Sequence, residues 1–189
     1  MKLIVVTSPT FFVEETAILE SLFSEGLDYL HIRKPDSDPV YCERLLTLLD
    51  SKWYRKIVVN DHFYLKKEYG LKGIHLSERH PEMPADYEGY FTKSCSTIEE
   101  TDYWKRRAGY VVVHDMDDER LHRFNMAKVI DRNVIADQIR AIDDIKKFRD
   151  YGFGGVVVDD FLWNQFDPHK TVNYKEIIQI FRQVRKVSG

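Results

Sequence analysis

Short apolar runs that end in polar or charged residues recur along this chain, and their spacing sets its architecture. Residues 2–7 are continuously apolar or β-branched after the first lysine, the pattern of a strand covered on both faces. The scheme returns at 28–33, 56–60, 73–76, 90–94, 109–114, 133–136 and 154–158. Between these runs the apolar period changes to that of a helix. Val13, Ala17, Leu19, Leu22 and Phe23 mark a helix over 12–25, closed by Gly26. Asp38-Pro39 supplies an N-cap acceptor followed by proline, with Val40, Tyr41, Leu45, Leu48 and Leu49 as the inner stripe. A short helix over 63–69 ends at Gly70, and Ser96-Thr97-Ile98-Glu99 reads as a capping box opening a helix to about 107. Helices over 139–151 and 174–187 complete the series. The segment 79–89, with two prolines and little periodicity, reads as a loop, and 115–128 as a short helix in an acidic loop.

Eight strands alternating with helix-sized connections predict an α/β fold, a compact (β/α)8 TIM barrel forming a single domain over 1–189. The alternative is an open doubly wound sheet, disfavoured because no Gly-x-Gly-x-x-Gly follows the first strand.

In a parallel barrel, ligands bind where the strands end, so the strand-end residues carry the candidate chemistry. The second strand runs through Leu30-His31-Ile32 into Arg33-Lys34 before Pro35. Arginine offers a planar fork for a phosphate and lysine a point charge, unless both are only solvated. His31 shares a side with Arg33 and either faces the mouth or is a satisfied core histidine. Asn60-Asp61 ends the third strand. Asp61 either takes a magnesium ion, which prefers one or two carboxylates plus substrate phosphate oxygens, or caps the next helix. His75 and Glu78 follow from the fourth strand, and Ser94-Cys95-Ser96 from the fifth. Nothing pairs Cys95 with a base, so it is a weak nucleophile.

Composition narrows the partners. A formal net charge of −3 gives no general attraction to nucleic acid or to an anionic membrane, so a phosphorylated ligand must be met by a few placed cations. Two distant cysteines make no disulfide framework, and a reduced, cytoplasmic setting is the default. The N-terminal apolar run is too short for a signal peptide or a membrane span.

Taken in order, these strand ends resemble the thiamine phosphate synthase family of (β/α)8 enzymes, which includes the related thiazole tautomerases. His31-Ile32-Arg33-Lys34 resembles the family's Gln-Leu-Arg-x-Lys, and Val59-Asn60-Asp61-His62 its Asn-Asp-Arg element. Gly73-Ile74-His75-Leu76 is similar to Gly-Val-His-Leu-Gly-Gln, and Ser94 to Glu100 to Ser-x-His-Thr/Ser-x-Glu-Glu. The approach to the last strand, Tyr151 to Val158, is similar too. The resemblance implies small, phosphorylated substrates: a pyrimidine pyrophosphate joined to a thiazole phosphate, releasing pyrophosphate, with magnesium. It places Arg33 and Asn60 on the pyrimidine and pyrophosphate, Ser94 on the pyrophosphate, and Asp61 on magnesium with Glu78 as the nearby second carboxylate. Lys34 joins Arg33 as a catalytic cation, with His31 and His75 lining the substrate site. His114 stands near the proton-transfer histidine of the tautomerases, a role suited to a group that titrates near neutrality. A homodimer is left open.

The departures fall on one side. The family's first-motif lysine falls on Pro35, and the Thr-x-Thr-Lys loop after strand six is reduced at most to 124–128. Where the family holds the thiazole phosphate with Gly-Gly and Val-Ser segments, this chain has Asp137-Gln138 and Asp159-Asp160. A carboxylate about 4 Å from a phosphate costs on the order of several kcal/mol at intermediate dielectric. The expectation is a pyrimidine half-site with an altered acceptor side, in an enzyme or in a non-catalytic binding paralogue. With Asp115, these carboxylates read either as a solvated rim or as a site for a cation or amine.

Overall fold

The computed structural model describes residues 1–137, 139–164 and 174–189. Eight parallel strands, β1 (Lys2–Val6), β2 (Tyr29–Ile32), β3 (Ile57–Val59), β4 (Gly73–Leu76), β5 (Tyr90–Cys95), β6 (Val111–Val113), β7 (Val134–Ala136) and β8 (Gly155–Val158), pair in sequence order. β8 returns to β1 with Ile4 opposite Val157, closing the barrel. The expected (β/α)8 architecture is therefore the one observed. Outside the strands lie α1 (Glu15–Ser24), α2 (Pro39–Leu48), α3 (Tyr64–Glu68), α4 (Ile98–Trp104), α5 (Asp118–Met126), α6 (Ile142–Asp150), α7 (Asp160–Trp163) and α8 (Lys175–Ser188). No helix among the described residues is long and apolar enough to cross a membrane.

Strand geometry sends alternate side chains to opposite faces, so each strand feeds two cores. Leu3, Val5, Leu30, Ile32, Val111 and Val113 pack outward against the helices. Ile4, Val6, Tyr110, Val112, Ile135 and Val157 fill the barrel interior. At its floor the rings of Tyr29 and Tyr90 stack with centroids 6.4 Å apart, and Tyr110 leans on both.

Several local expectations shift. Helix α1 starts only at Glu15, leaving Val13 86% exposed, and Ala17 also faces solvent while Ile18 is buried. In α2 the buried stripe is Cys42, Leu45, Leu46 and Leu49, an i, i+3, i+4, i+7 set; Val40, Tyr41 and Leu48 lie outside it and are exposed. Asp38 does cap α2, accepting from the Val40 amide at 3.1 Å. The cap of α4 sits one residue later than expected. Thr97 accepts from the Glu100 amide, while Glu100 reaches back to the Ser96 amide. Helix α6 starts at Ile142, not at 139. A 3-10 turn (Ser51–Lys56) and α7 were not anticipated, both being too short for a periodic signal.

Gly73 is fixed by close approach. A Cβ there would stand 2.0 Å from the Tyr90 carbonyl oxygen, a backbone atom that cannot swing aside. Gly70 has φ of +65° but no atom within 4 Å of its would-be Cβ. Gly73→Ala is therefore expected to lose about 2 kcal/mol or more, and Gly70→Ala only about 1 kcal/mol. Thermal unfolding followed by circular dichroism checks the order; equal melting points would refute it.

Candidate functional site

The C-terminal ends of the strands surround an open cavity of about 880 Å³. His31, Arg33, Asn60, Asp61, His75, Glu78, Ser94 and His114 all line it, as do Asp137 and Asp159. Arg33 stands just past β2 on the exposed rim, its backbone locked by reciprocal hydrogen bonds with the Thr7 hydroxyl.

Lys34 does not join it. Next to an inward-facing Arg33 it must point the other way, and it lies fully buried beneath the β1–α1 loop. There its ammonium donates to both Glu15 carboxylate oxygens at 2.7 Å and to the Ser8 and Thr10 carbonyls. Burial lifts Glu15 to about 7 despite the facing ammonium. The pairing of Arg33 and Lys34 as two cations at the mouth is thus corrected: Lys34 ties a loop to the barrel, and the cavity holds Arg33 alone of the two.

His31 and His75 form the cavity floor. The His31 Nε2 lies 2.6 Å from the Tyr110 hydroxyl, and burial pushes His31 down to about 4. Asn60 offsets that shift in part, although its Oδ1 falls outside hydrogen-bond geometry. His75 Nδ1 is 2.7 Å from the Thr92 hydroxyl, and burial drives its pKa well below the usual imidazole value. Both rings are neutral around pH 7.

On the β3 side, Asn60 is 8% and Asp61 9% exposed, yet Asn60 Oδ1 and Asp61 Oδ2 find no hydrogen-bond partner among the described residues. The other Asp61 oxygen is 3.1 Å from His80 Nε2. Buried polar atoms are rarely left unmatched, so these two oxygens are the acceptors a ligand or cation would satisfy. Glu78 sits exposed on the adjacent rim. No cluster of three or more His, Cys, Asp or Glu side chains among the described residues is arranged to hold a metal ion. Asp61 and Glu78 line the same cavity, and carboxylates are the donor type that magnesium takes alongside water and substrate oxygens.

On the opposite side a continuous hydrogen-bonded array climbs out of the barrel. His75 Nε2 lies 2.9 Å from the Ser94 hydroxyl, which lies 3.0 Å from His114 Nε2. His114 Nδ1 is 2.6 Å from Asp137 Oδ2. The hydrogen bond to Asp137 raises the His114 pKa above its ordinary value, against the opposing effect of burial. Asp159 is pushed up to about 7 by burial and by the nearby Asp137 and Asp160 charges, with Arg33 pulling the other way. Cys95 is buried and its thiol pushed up to about 12, which removes it as a nucleophile.

Sequence reasoning missed Thr92, Tyr110 and the partnership of Asp137 with His114. The signal was the two-residue period. Thr92 and Ser94 share a face, as do Tyr110, Val112 and His114, and Asp137 lies two residues past Ile135.

No protein-family model matches the chain, and no curated protein sequence matches it. Solved structures do. A thiamine phosphate pyrophosphorylase from Bacteroides thetaiotaomicron is 45% identical, with a TM-score of 0.93 over 100% of this chain and 98% of that one. A thiamine phosphate pyrophosphorylase from Pyrococcus furiosus is 15% identical, with a TM-score of 0.75 over 99% and 95% of the two chains. The tryptophan synthase alpha subunit of Legionella pneumophila, at 15% identity and TM-score 0.68 over 99% and 92%, shares the fold alone.

Replacing Asp137 by asparagine is expected to lower the His114 pKa, because its largest raising influence is removed while burial still acts to lower it and Asp115 and Glu78 oppose burial only in part. The folded-state value being raised, the pair adds stability that is complete below about pH 6.5 and is lost as pH rises through that folded value. Proton NMR titration of the His114 ring reads the first effect directly. An unchanged pKa would remove Asp137 as its cause.

Proposed function

Because the chain belongs to the thiamine phosphate pyrophosphorylase family, we propose that it acts on the phosphorylated precursors of thiamine at the mouth of its barrel. The observation that carries this reading is the pair of buried oxygens on Asn60 and Asp61, unmatched among the described residues, on residues that line the same cavity as Arg33. That half of the mouth offers what a pyrimidine diphosphate needs: a guanidinium for the phosphates, an amide for the ring or phosphate, and a carboxylate for an accompanying cation.

In this reading the bond between the pyrimidine methylene and the diphosphate oxygen breaks, and the diphosphate leaves with the electron pair. Arg33 stabilises the charge that develops on it, and the Ser94 hydroxyl orients it by a hydrogen bond. The thiazole nitrogen then forms the new carbon–nitrogen bond. Magnesium, held by Asp61 and Glu78, would neutralise phosphate charge. His31 and His75, neutral and buried, shape the floor without adding charge beneath the carbocation.

A second reading draws support from the array Ser94–His114–Asp137, which has the geometry of a general base oriented by a carboxylate. There His114 moves a proton on a thiazole ring, as in the tautomerases of the family, and no diphosphate is released.

Calorimetry with magnesium against the pyrimidine diphosphate, followed by an assay for pyrophosphate release, separates these readings. Binding with release supports the synthase reaction, and binding without release supports a non-catalytic binding protein. Absence of pyrimidine binding overturns the synthase reading and leaves the tautomerase one. Arg33→Ala and Asp61→Ala are each expected to weaken pyrimidine diphosphate binding by about tenfold to a hundredfold, the worth of a charge-assisted contact. Unchanged affinity in both would remove this site assignment.

A further inference from the structure

We propose that Arg120 is a specificity-determining residue for the second substrate, receiving its phosphate at the edge of the cavity between β5 and β6. The inference rests on the family reading above and adds a cation that the strand-end pattern did not single out.

Arg120 lies beyond the strand ends, in the first turn of α5, where its amide donates to the capping Asp117 carboxylate at 2.8 Å. Its side chain is half-buried and turns back towards the β5 loop. Nη2 donates to the Ser96 carbonyl at 2.6 Å, and the guanidinium carbon stands 5.3 Å from the centroid of the buried Phe124 ring. These two contacts place the guanidinium on the wall between the main cavity and a side cavity of about 420 Å³. Arg120, Ser96 and Asp115 line both.

What this guanidinium lacks is an anion. The buried lysines have carboxylate partners: Lys34 meets Glu15, and Lys105 meets Asp102 and Asp131. Arg120 has none among the described residues, although Asp117 and Glu119 are its neighbours in sequence. Its Nε is buried and has no hydrogen-bond partner among them either. Buried donors are rarely left unmatched, and a guanidinium presents a planar fork that fits two phosphate oxygens. A phosphate on this wall supplies both the missing charge and the missing acceptor. The exposed Ser96 hydroxyl stands on the same wall as a further donor. Asp115 opposes it there but is exposed, so water screens its charge.

The position also suits a reaction between two anions. Arg33 follows β2 and Arg120 follows β6, which stand across the closed barrel from one another. Each phosphorylated substrate thus meets its own guanidinium, and the reacting ends face each other between them.

Calorimetry on the full-length chain with magnesium tests this, using hydroxyethylthiazole phosphate, the free alcohol and pyrimidine diphosphate as separate probes. The wild type is expected to bind the phosphate at least about tenfold more tightly than the alcohol, the worth of a charge-assisted contact. Arg120→Met keeps the length of the side chain and removes the charge. It should erase most of that preference and leave alcohol and pyrimidine diphosphate affinity unchanged, with melting curves verifying the fold. Arg120→Lys should keep part of the preference, as a point charge without the fork. An unchanged preference in Arg120→Met overturns the proposal, as does equal weakening of all three ligands, the mark of a purely structural tie between α5 and β5. A wild type that binds the alcohol as tightly as the phosphate overturns it too. Nitrogen-15 NMR of the arginine side chains reads the wild type directly. The Arg120 Nε–H resonance should move with the phosphate and not with the alcohol, and a resonance unmoved by saturating phosphate overturns the proposal. Failure of both thiazole probes while pyrimidine diphosphate binds also overturns it and leaves the family reading standing. An Arg120-dependent phosphate preference without pyrimidine diphosphate binding supports it and overturns the pyrimidine half-site instead.

Discussion

Polar side chains placed inside a closed barrel must find their partners there, and that constraint organises the site. His31, His75 and Thr92 are at most 4% exposed, and leaving one of their polar atoms unpaired would cost about 1–3 kcal/mol. The Ser94 hydroxyl has a single proton and stands between two imidazole nitrogens, so it can donate to only one of them. When His114 is protonated, its Nε2–H donates to Ser94, and the Ser94 proton is then available to His75 Nε2. When His114 loses that proton, its Nε2 becomes an acceptor and the Ser94 proton can turn to it instead. A change of protonation at the mouth therefore reaches the hydrogen bonding of a ring held at the floor through one hydroxyl.

The same cavity is divided electrostatically. The β2–β3 side presents Arg33 and two unmatched oxygens, a combination suited to phosphates bound with a cation. The β7–β8 side presents Asp137, paired with His114, and Asp159, pushed up to about 7 by burial and then by the Asp137 and Asp160 charges. Arg33 reaches across enough to pull Asp159 downward. The cavity is therefore chemically unequal around its rim, with Arg33, Asn60 and Asp61 on one side and the His114–Asp137 pair, Asp159, Arg120 and Arg140 on the other.

The barrel was legible because eight strand patterns and their helices agree with one another, and only a closed parallel sheet accommodates them all. Most of the cavity residues were legible too, since polar residues at strand ends have one place to go in that fold. What failed was direction at the level of single residues. Arg33-Lys34 reads as one cationic pair along the sequence, but strand geometry separates the two side chains, sending Lys34 to meet Glu15. Glu15 carried no signal in the sequence, because no local pattern announces a buried partner nineteen residues away. Asp137 was read as an obstacle to phosphate, and its partnership with His114 spans two strands that only the barrel brings side by side.

Several cavity residues occupy positions that carry none of the barrel's packing. His114, Asp137 and Asp159 each sit one residue past the last residue of their strands, beyond the ladder that closes the barrel. Their neighbours Val113, Ala136 and Val158 point into the outer core and are fully buried, so those positions are held by packing. A change at the strand ends leaves that packing intact, while a change one residue earlier would open a cavity between sheet and helix. Close structural agreement with a relative at 45% identity therefore speaks to the packing more than to the strand-end side chains. The fold constrains where chemistry is placed, and the strand-end side chains decide which substrate that place can hold.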